Sequence, residues 1–229
     1  ENYAHTTAFA AAVLNHNSDV ADYLLEHGAY EEIYKKDENG NTLLIYSSMQ
    51  GNLKAVRYLI QHGAEINIQN KEGSTPIMYA ARGGYLDIVK YLVENGAKID
   101  IANTFGFTAL TYATAYGHLD VVEYLVEHGA KIDVLDYENH NLLMLAANNG
   151  FNDIIEYFIK KGIDINAKDK NGLTALMIAT KAGYLKTVKY LVENGANINE
   201  KDNNGYTALD YANITKNKLI IDYLNSIPK

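Results

Sequence analysis

Residues 70–101 read NKEGSTPIMYAARGGYLDIVKYLVENGAKIDI, and residues 103–134 read NTFGFTALTYATAYGHLDVVEYLVEHGAKIDV. The second stretch repeats the first after 33 residues, with the same order of turn, small and apolar residues. The same period places a Thr or Asn before a short apolar run at Thr42, Thr75, Thr108, Asn141, Thr174 and Thr207. A fixed period of this size indicates a repeat architecture, in which every repeat is one supersecondary unit.

A second marker gives the number of repeats. A tyrosine recurs with the same period at Tyr58, Tyr91, Tyr124, Tyr157, Tyr190 and Tyr223. An earlier copy of both markers, Thr7 and Tyr23, lies 35 residues before the first, so repeat one has two extra residues in its following loop. We therefore predict seven repeats in a single domain over 1–229. Their limits are about 1–36 (N-terminal cap), 37–69, 70–102, 103–135, 136–168, 169–201 and 202–229 (C-terminal cap).

The local signals within one period predict two short helices and a turn. Thr75 is a favoured N-cap residue and Pro76 suits the first helical position, so a helix begins there. The pair at 83–84 interrupts it, and a second amphipathic stretch follows and ends at Gly96, a residue type suited to the left-handed conformation. An extended stretch then leads to a turn in which Gly106 can take a positive φ.

These residues closely resemble the ankyrin repeat, whose pattern is D-x-x-G-x-T-P-L-x-x-A-A-x-x-G-H-L-x-x-V-x-x-L-L-x-x-G-A-x-(I/V)-(N/D), over about residues 7–224. The resemblance implies an all-α ankyrin-repeat solenoid, with helix-turn-helix units and β-hairpin fingers between them. It also implies protein recognition as the usual activity. The chain departs from the family at the histidine of T-P-L-H, where it has residues such as Met78, and at the tyrosine markers, which we expect to be half-exposed packing positions.

The terminal repeats lack the usual turn residues between their two helices. His16-Asn17-Ser18 stands there in repeat one and Lys216-Asn217-Lys218 in repeat seven. Loss of turn and apolar residues is expected where a repeat faces water on one side, so we interpret these repeats as caps and expect the array to be complete in itself. The chain begins at Glu1 and not at Met, so we expect a processed or excised fragment, with a leader or further domain left open.

Composition narrows the classes of partner. The 28 acidic residues outnumber the 20 Lys plus Arg, for a formal net charge of −8, which argues against nucleic acid because phosphate binding needs a basic face. No apolar run is long enough to span a bilayer, so we expect no membrane insertion. The absence of cysteine removes disulfides, thiolate nucleophiles and cysteine metal sites. The sequence does not determine the cellular compartment. A cytoplasmic location is favoured, and an exported or host-directed protein is the alternative.

Catalytic signatures are absent from the sequence. None of the motifs G-x-S-x-G, G-x-x-x-x-G-K-(S/T) or G-x-G-x-x-G occurs, and the seven histidines form no i, i+4 pair. Asp87, Asp120 and Asp153 recur at one repeat position, which is typical of a solvated helix face rather than a catalytic pair. We therefore expect no enzymatic activity, no cofactor and no metal site.

The candidate binding residues lie at positions where the residue type does not recur from repeat to repeat. Repeats four and five place aromatic and apolar residues where other fingers are mostly polar, and exposed aromatics gathered in one place are typical anchors of protein interfaces. The predicted anchors are Phe105, Phe107, Tyr116, Leu135 and Tyr137, with Arg82 and His140 at a polar rim. The alternative is that Phe105 and Phe107 pack against each other across the hairpin and stiffen it. Asn139 and Asn141 replace the usual Gly and Thr. Asn tolerates the left-handed conformation and can cap a helix, so we expect the finger to form with an altered shape.

We therefore predict a non-catalytic, monomeric scaffold for protein–protein interaction, with a protein partner of unknown identity on its concave face. The alternative is a targeting or regulatory ankyrin module of a larger enzyme or exported effector protein.

Overall fold

The structure, a computed structural model, describes residues 7–228 of the chain and is all-helical over that range, with fifteen α-helices and no β-strand. The helices are α1 (Ala8–Leu14), α2 (Ser18–Glu26), α3 (Glu31–Tyr34), α4 (Leu43–Met49), α5 (Leu53–Gln61), α6 (Pro76–Arg82), α7 (Leu86–Glu94), α8 (Ala109–Tyr116), α9 (Leu119–Glu127), α10 (Leu142–Asn149), α11 (Asn152–Lys160), α12 (Ala175–Ala182), α13 (Leu185–Glu193), α14 (Ala208–Ile214) and α15 (Lys218–Ser226). The predicted all-α class is confirmed. The outer limits of the predicted domain, 1–6 and 229, lie outside the described residues.

Two compact units make up the described chain. The first contains the residues up to Ala113 together with Asp120–Ala130, and the second contains Thr114–Leu119 and the residues from Lys131 onward. The division falls within repeat four, so repeats one to three belong to the first unit and repeats five to seven to the second. The single domain inferred from the period stays a prediction.

The first helix of each repeat begins directly after the residue that the period marks. A side-chain oxygen accepts a hydrogen bond from the backbone N–H three residues later in every repeat but the third, as where Asn141 accepts from Met144 at 2.9 Å. Thr75 is the exception, since its hydroxyl is buried without a hydrogen-bond partner among residues 7–228. There the helix begins at Pro76, whose fixed φ favours the first turn.

Positive φ angles occur where the sequence predicts them. Gly96 has φ 92° and Gly106 has φ 79°. Asn139 takes φ 63° in place of a glycine, as its tolerance of the left-handed conformation allows. In the terminal repeats His16 (φ 62°) and Lys216 (φ 55°) occupy the same region, and lysine is the one of these three residue types with the least tolerance for it.

The longer loop after repeat one contains a helix that the period does not predict. Two helices in each of seven repeats account for fourteen, and α3 is the fifteenth in the described range. Ile33 of α3 is buried, so the longer loop contributes to the core of the first unit instead of standing off its surface.

Small residues allow the first helices to pack closely, and the tyrosine markers border them. The side chains at Ala80, Ala113, Ala146, Ala179 and Ala212 are fully buried. Six of the seven marker tyrosines are half-buried; Tyr23, in repeat one, is exposed. A cation from the preceding repeat lies over the ring at three of them, as where Arg57 lies 4.7 Å from the ring centre of Tyr91.

The fingers between repeats are tight turns and not the expected β-hairpins. In repeat three the Asn70 N–H donates to the Ser74 carbonyl at 3.1 Å and the Gly73 N–H donates to the Asn70 carbonyl at 2.9 Å. Arms this short cannot form a ladder of strand hydrogen bonds. Within each unit, successive tips are joined by single backbone hydrogen bonds, for example from Lys71 N–H to the Asn39 carbonyl at 2.9 Å.

Candidate functional site

A side chain at the start of each finger closes the turn. Asp37, Asn70, Asn103, Asp136, Asp169 and Asp202 each present one oxygen to the backbone N–H groups two and four residues later. In repeat four the Asn103 Oδ1 accepts from the N–H groups of Phe105 and Phe107, both at 3.0 Å. The closing residue thus positions the backbone of both predicted anchors.

A tyrosine hydroxyl meets the second polar atom of the closing residue in four fingers. The tyrosine stands nine residues later, on the first helix of the same repeat: Tyr46 with Asp37 (2.6 Å), Tyr79 with Asn70 (2.9 Å), Tyr112 with Asn103 (3.1 Å) and Tyr211 with Asp202 (2.5 Å). We call these four residues the closing tyrosines. Each closing tyrosine thus joins a finger to the first helix of its own repeat.

The hydrogen bond between Tyr211 and Asp202 moves the pKa of both groups. Burial raises the pKa of Tyr211 to about 12, and the hydrogen bond to the Asp202 carboxylate adds to the effect. Burial alone would raise the pKa of Asp202, but hydrogen bonds from the Tyr211 hydroxyl and from backbone N–H groups outweigh it, so the pKa lies below its ordinary value. The carboxylate form of Asp202 is therefore favoured in the folded chain.

Repeats five and six have no closing tyrosine, because Leu145 and Ile178 stand at its position. His140 takes over part of its role: its Nδ1 lies 2.9 Å from Asp136 Oδ2, and its Nε2 lies 3.3 Å from Asp169 Oδ2. The Asp169 side chain is fully buried. One imidazole ring thus contacts the closing residues of two successive fingers.

A cavity of about 390 Å³ lies where the two closing tyrosines are missing. Five apolar residues and three polar ones line it: Met144, Leu145, Leu173, Ile178, Ala182, His140, Asn148 and Lys181. Only His140 was among the predicted site residues. The sequence does contain the signal for this cavity, since the series Tyr46, Tyr79, Tyr112, Leu145, Ile178, Tyr211 can be read from the period.

The predicted site residues of the first unit are Arg82, Phe105 and Phe107. Arg82 is exposed at the end of α6, and Phe105 is 50% exposed. Phe107 is half-buried, and its ring lies edge-on to the ring of Tyr112 with 5.3 Å between centroids. Phe105 is thus presented to solvent, whereas Phe107 also packs within its own repeat.

The predicted site residues of the second unit are Tyr116, Leu135, Tyr137 and His140. The first three are exposed, by 46%, 51% and 65% respectively, and His140 is half-buried. Tyr137 and His140 share one finger, and the Lys170 side chain binds the Tyr137 carbonyl and lies 5.9 Å from the centre of its ring. Whether all seven predicted residues serve one partner stays a prediction.

Comparison with known families agrees with this geometry. A family model described as ankyrin repeats (3 copies) matches residues 1–70, 64–136 and 143–227, and a second, described as ankyrin repeats (many copies), matches residues 115–159. The chain belongs to the ankyrin repeat family. Ankyrin repeats are generally modules of protein–protein interaction and are typically non-catalytic.

A curated relative shares part of the chain. Alpha-latroinsectotoxin-Lt1a of Latrodectus tredecimguttatus is 35% identical over 72 residues, which cover 31% of this ankyrin chain and 5% of the toxin. The match therefore spans a small fraction of a much longer protein.

Neither metal ligands nor a membrane-spanning helix can be identified in the described part of this ankyrin chain. Among residues 7–228 no group of three or more His, Cys, Asp or Glu side chains is arranged to hold a metal ion. Within the same range, every helix is too short or too polar to cross a bilayer.

Proposed function

We propose that this ankyrin-repeat chain is a non-catalytic scaffold that binds a protein partner through its finger tips and first helices, on the predicted concave face. The observation that carries the proposal is the exposure of large apolar side chains at positions that the period leaves free. Phe105, Leu135 and Tyr137 are each at least half exposed, although the chain has polar residues at most other finger tips. Exposed apolar groups of this kind stabilise a complex when a partner covers them.

The proposed contact residues have two roles. Aromatic and apolar side chains supply most of the binding free energy as anchors, and polar side chains at the rim set orientation. The proposed anchors are Phe105, Phe107, Tyr116, Leu135 and Tyr137, and the proposed rim residues are Arg82 and His140. The hydrogen bonds of Asn103 and Asp136 to the finger backbones hold the tips in place before binding, which reduces the entropy lost on association.

Affinity capture followed by mass spectrometry identifies the partner, and alanine variants then test the contact residues. We expect Phe105→Ala and Tyr137→Ala each to weaken capture about thirtyfold, the effect of losing roughly 2 kcal/mol at an anchor. Their melting temperatures should stay within a few degrees of the parent, because neither side chain is buried.

A matched pair controls for the loss of exposed apolar surface. Leu135→Ala removes a proposed anchor that is 51% exposed, and Leu219→Ala removes a leucine of α15 that is 66% exposed and is not a proposed contact. We expect only Leu135→Ala to weaken capture. Equal binding by the parent, the two aromatic variants and Leu135→Ala would place the interface elsewhere.

The alternative, a regulatory or targeting module within a larger protein, is favoured by one comparison. The toxin that shares 72 residues with this chain is a far longer protein. Sequencing the complete open reading frame tests it: a catalytic or toxin-like region next to the array supports the module, and an array with nothing beside it contradicts it.

A further inference from the structure

In the first unit, the residue four positions after a closing residue contacts the closing residue of the next finger. Asn70 Nδ2 donates to Asn41 Oδ1 at 2.9 Å, and Asn103 Nδ2 donates to Ser74 Oγ at 3.1 Å. In both pairs the later finger supplies the donor and the earlier finger supplies the acceptor. We call the residue of the earlier finger the bridging residue. All four side chains are buried, so their polar atoms depend on this match of donor and acceptor.

Between the fingers of repeats five and six, which we call fingers five and six, the closing residue cannot be the donor. It is Asp169, whose carboxylate only accepts, and the bridging residue is His140, whose Nε2 lies 3.3 Å from Asp169 Oδ2. The Asp169 side chain is fully buried, and its Oδ2 has no hydrogen bond of ordinary geometry among residues 7–228. The ring of His140 is therefore the group that can pair with this buried oxygen.

The other ring nitrogen of His140 also faces an acceptor. Nδ1 lies 2.9 Å from Asp136 Oδ2, and Asp136 Oδ1 accepts from the backbone N–H groups of Glu138 and His140. A ring with a single N–H turns a nitrogen lone pair toward one of the two carboxylates, whichever nitrogen holds the hydrogen. One additional proton, on the ring or shared with a carboxyl group, removes this repulsion.

The charged groups near His140 come from three elements. Asp136 lies on its own finger and Asp169 on finger six, and α10, the first helix of repeat five, contains no charged residue. In α12, Lys181 lines the cavity beside His140, but its ammonium group lies 5.0 Å from the ring centre of Tyr211 in repeat seven. The two carboxylates are thus the charged groups in contact with the ring.

We propose that His140, Asp136 and Asp169 form a proton-dependent link between fingers five and six. With the additional proton the ring pairs with both carboxylates, and loss of that proton leaves one of the two contacts repulsive. The link should therefore be stronger at mildly acidic pH and should weaken as the pH rises through the range in which histidine ordinarily titrates, near about 6.5. This inference concerns the fold and does not rest on the proposed function.

A backbone hydrogen bond beside the link reports its strength. The Lys170 N–H donates to the Glu138 carbonyl at 3.0 Å across fingers five and six, and the Asn203 N–H donates to the Asn171 carbonyl at 2.9 Å across fingers six and seven. The bridging position of finger six is Leu173, which has no ionisable group. The Asn203 amide is therefore a control within the same molecule.

The test is native-state hydrogen exchange by NMR at about pH 5.5 and about pH 7.5, on either side of the ordinary histidine titration. Rates are corrected for the intrinsic pH dependence of exchange. We expect the protection of the Lys170 amide to be about tenfold greater at the lower pH, the size of one hydrogen bond between charged groups. Protection of the Asn203 amide should change by less than about twofold. Equal protection of Lys170 at the two pH values, or an equal change at Asn203, overturns the inference.

Asp169→Asn tests the same link by exchanging the acceptor for a donor. Its Oδ1 can close the turn as Asn70 and Asn103 do, and its Nδ2 can donate to a ring that has lost the additional proton. The pH dependence of Lys170 protection should then disappear or change sign. His140→Gln, whose amide has the same charge at every pH, covers the case in which Asp169→Asn does not fold, and it should also lose the pH dependence. A folded variant of either kind that keeps the pH dependence of the parent contradicts the inference.

Discussion

At the scale of single residues, backbone conformation follows local chemistry closely. The capping role of Asn141 and the left-handed conformation of Asn139 were both predicted, because each depends only on the residue and its immediate neighbours. The lysine at 216 shows the opposite case. It occupies a turn position where the preceding repeat has Gly183, and it adopts φ 55° although its side chain disfavours that region.

This strain predicts that Lys216→Gly stabilises the protein. Glycine reaches a positive φ without the Cβ penalty, at the cost of a more flexible unfolded chain, so we expect a gain of about 0.5–1 kcal/mol in the free energy of unfolding. Urea denaturation measures it. Gly183→Ala, at φ 84° in the equivalent turn, is the matched control and should destabilise by about 1 kcal/mol. A destabilised Lys216→Gly variant would show that the lysine side chain stabilises the fold by more than the backbone strain at this position costs.

At the scale of one element, each finger is a turn closed by its own first side chain and tied to a helix by a hydroxyl. Asp202 illustrates the acid dependence that this creates. Its pKa is lowered below the ordinary 3.8 in the folded chain. A group with a lowered folded pKa stabilises the protein above its unfolded pKa, and that contribution is lost as the pH falls through the folded pKa.

We therefore expect Asp202→Asn to make the protein less sensitive to acid. Asn70 and Asn103 already close two other fingers, so the turn should form with an amide. Near neutral pH the variant should be less stable than the parent, and the difference should shrink as the pH falls below about 4. Thermal melts from pH 7 to pH 2.5 measure it, with Asp222→Asn as an exposed control for the change in charge. A difference that stays constant over this range would contradict the assignment.

The sequence predicts the fold and the conformation of the finger turns, but it does not predict the hydrogen bonds that join each finger to its first helix. Caps, turns and buried alanines depend on local signals that recur with the period. The bond between a closing residue and a tyrosine nine positions later depends on how the finger folds back on the helix, which no local signal specifies. The cavity beside Leu145 and Ile178 is a missing side chain in that pattern, so it becomes visible only when the pattern is known.

At the scale of the whole molecule, stability comes from neighbouring repeats that cover one another. In the second unit α12 packs against α14 and α13 against α15, and Lys181 lies 5.0 Å from the ring centre of Tyr211. Leu176, Ile178 and Leu191 of repeat six are buried in this arrangement. Repeat seven thus acts on its neighbour as a cover as well as a folded element.

Removal of residues 204–229 should therefore cause association. The truncated protein loses α14 and α15 and exposes apolar surface of repeat six, and such surface drives self-association or aggregation. Size-exclusion chromatography with light scattering measures the mass, and a thermal melt measures stability. A truncated protein that stays monomeric and as heat-stable as the parent would show that repeat seven is dispensable.

Each finger is closed by its own first side chain, and this affects how the chain can acquire a new binding partner by mutation. The two tip residues of a finger, such as Tyr137 and Glu138, supply no side-chain atom to the closing bonds of their turn. Tip positions are therefore free to mutate without refolding the turn, so such an array can acquire a new binding preference through point substitutions while its scaffold stays constant.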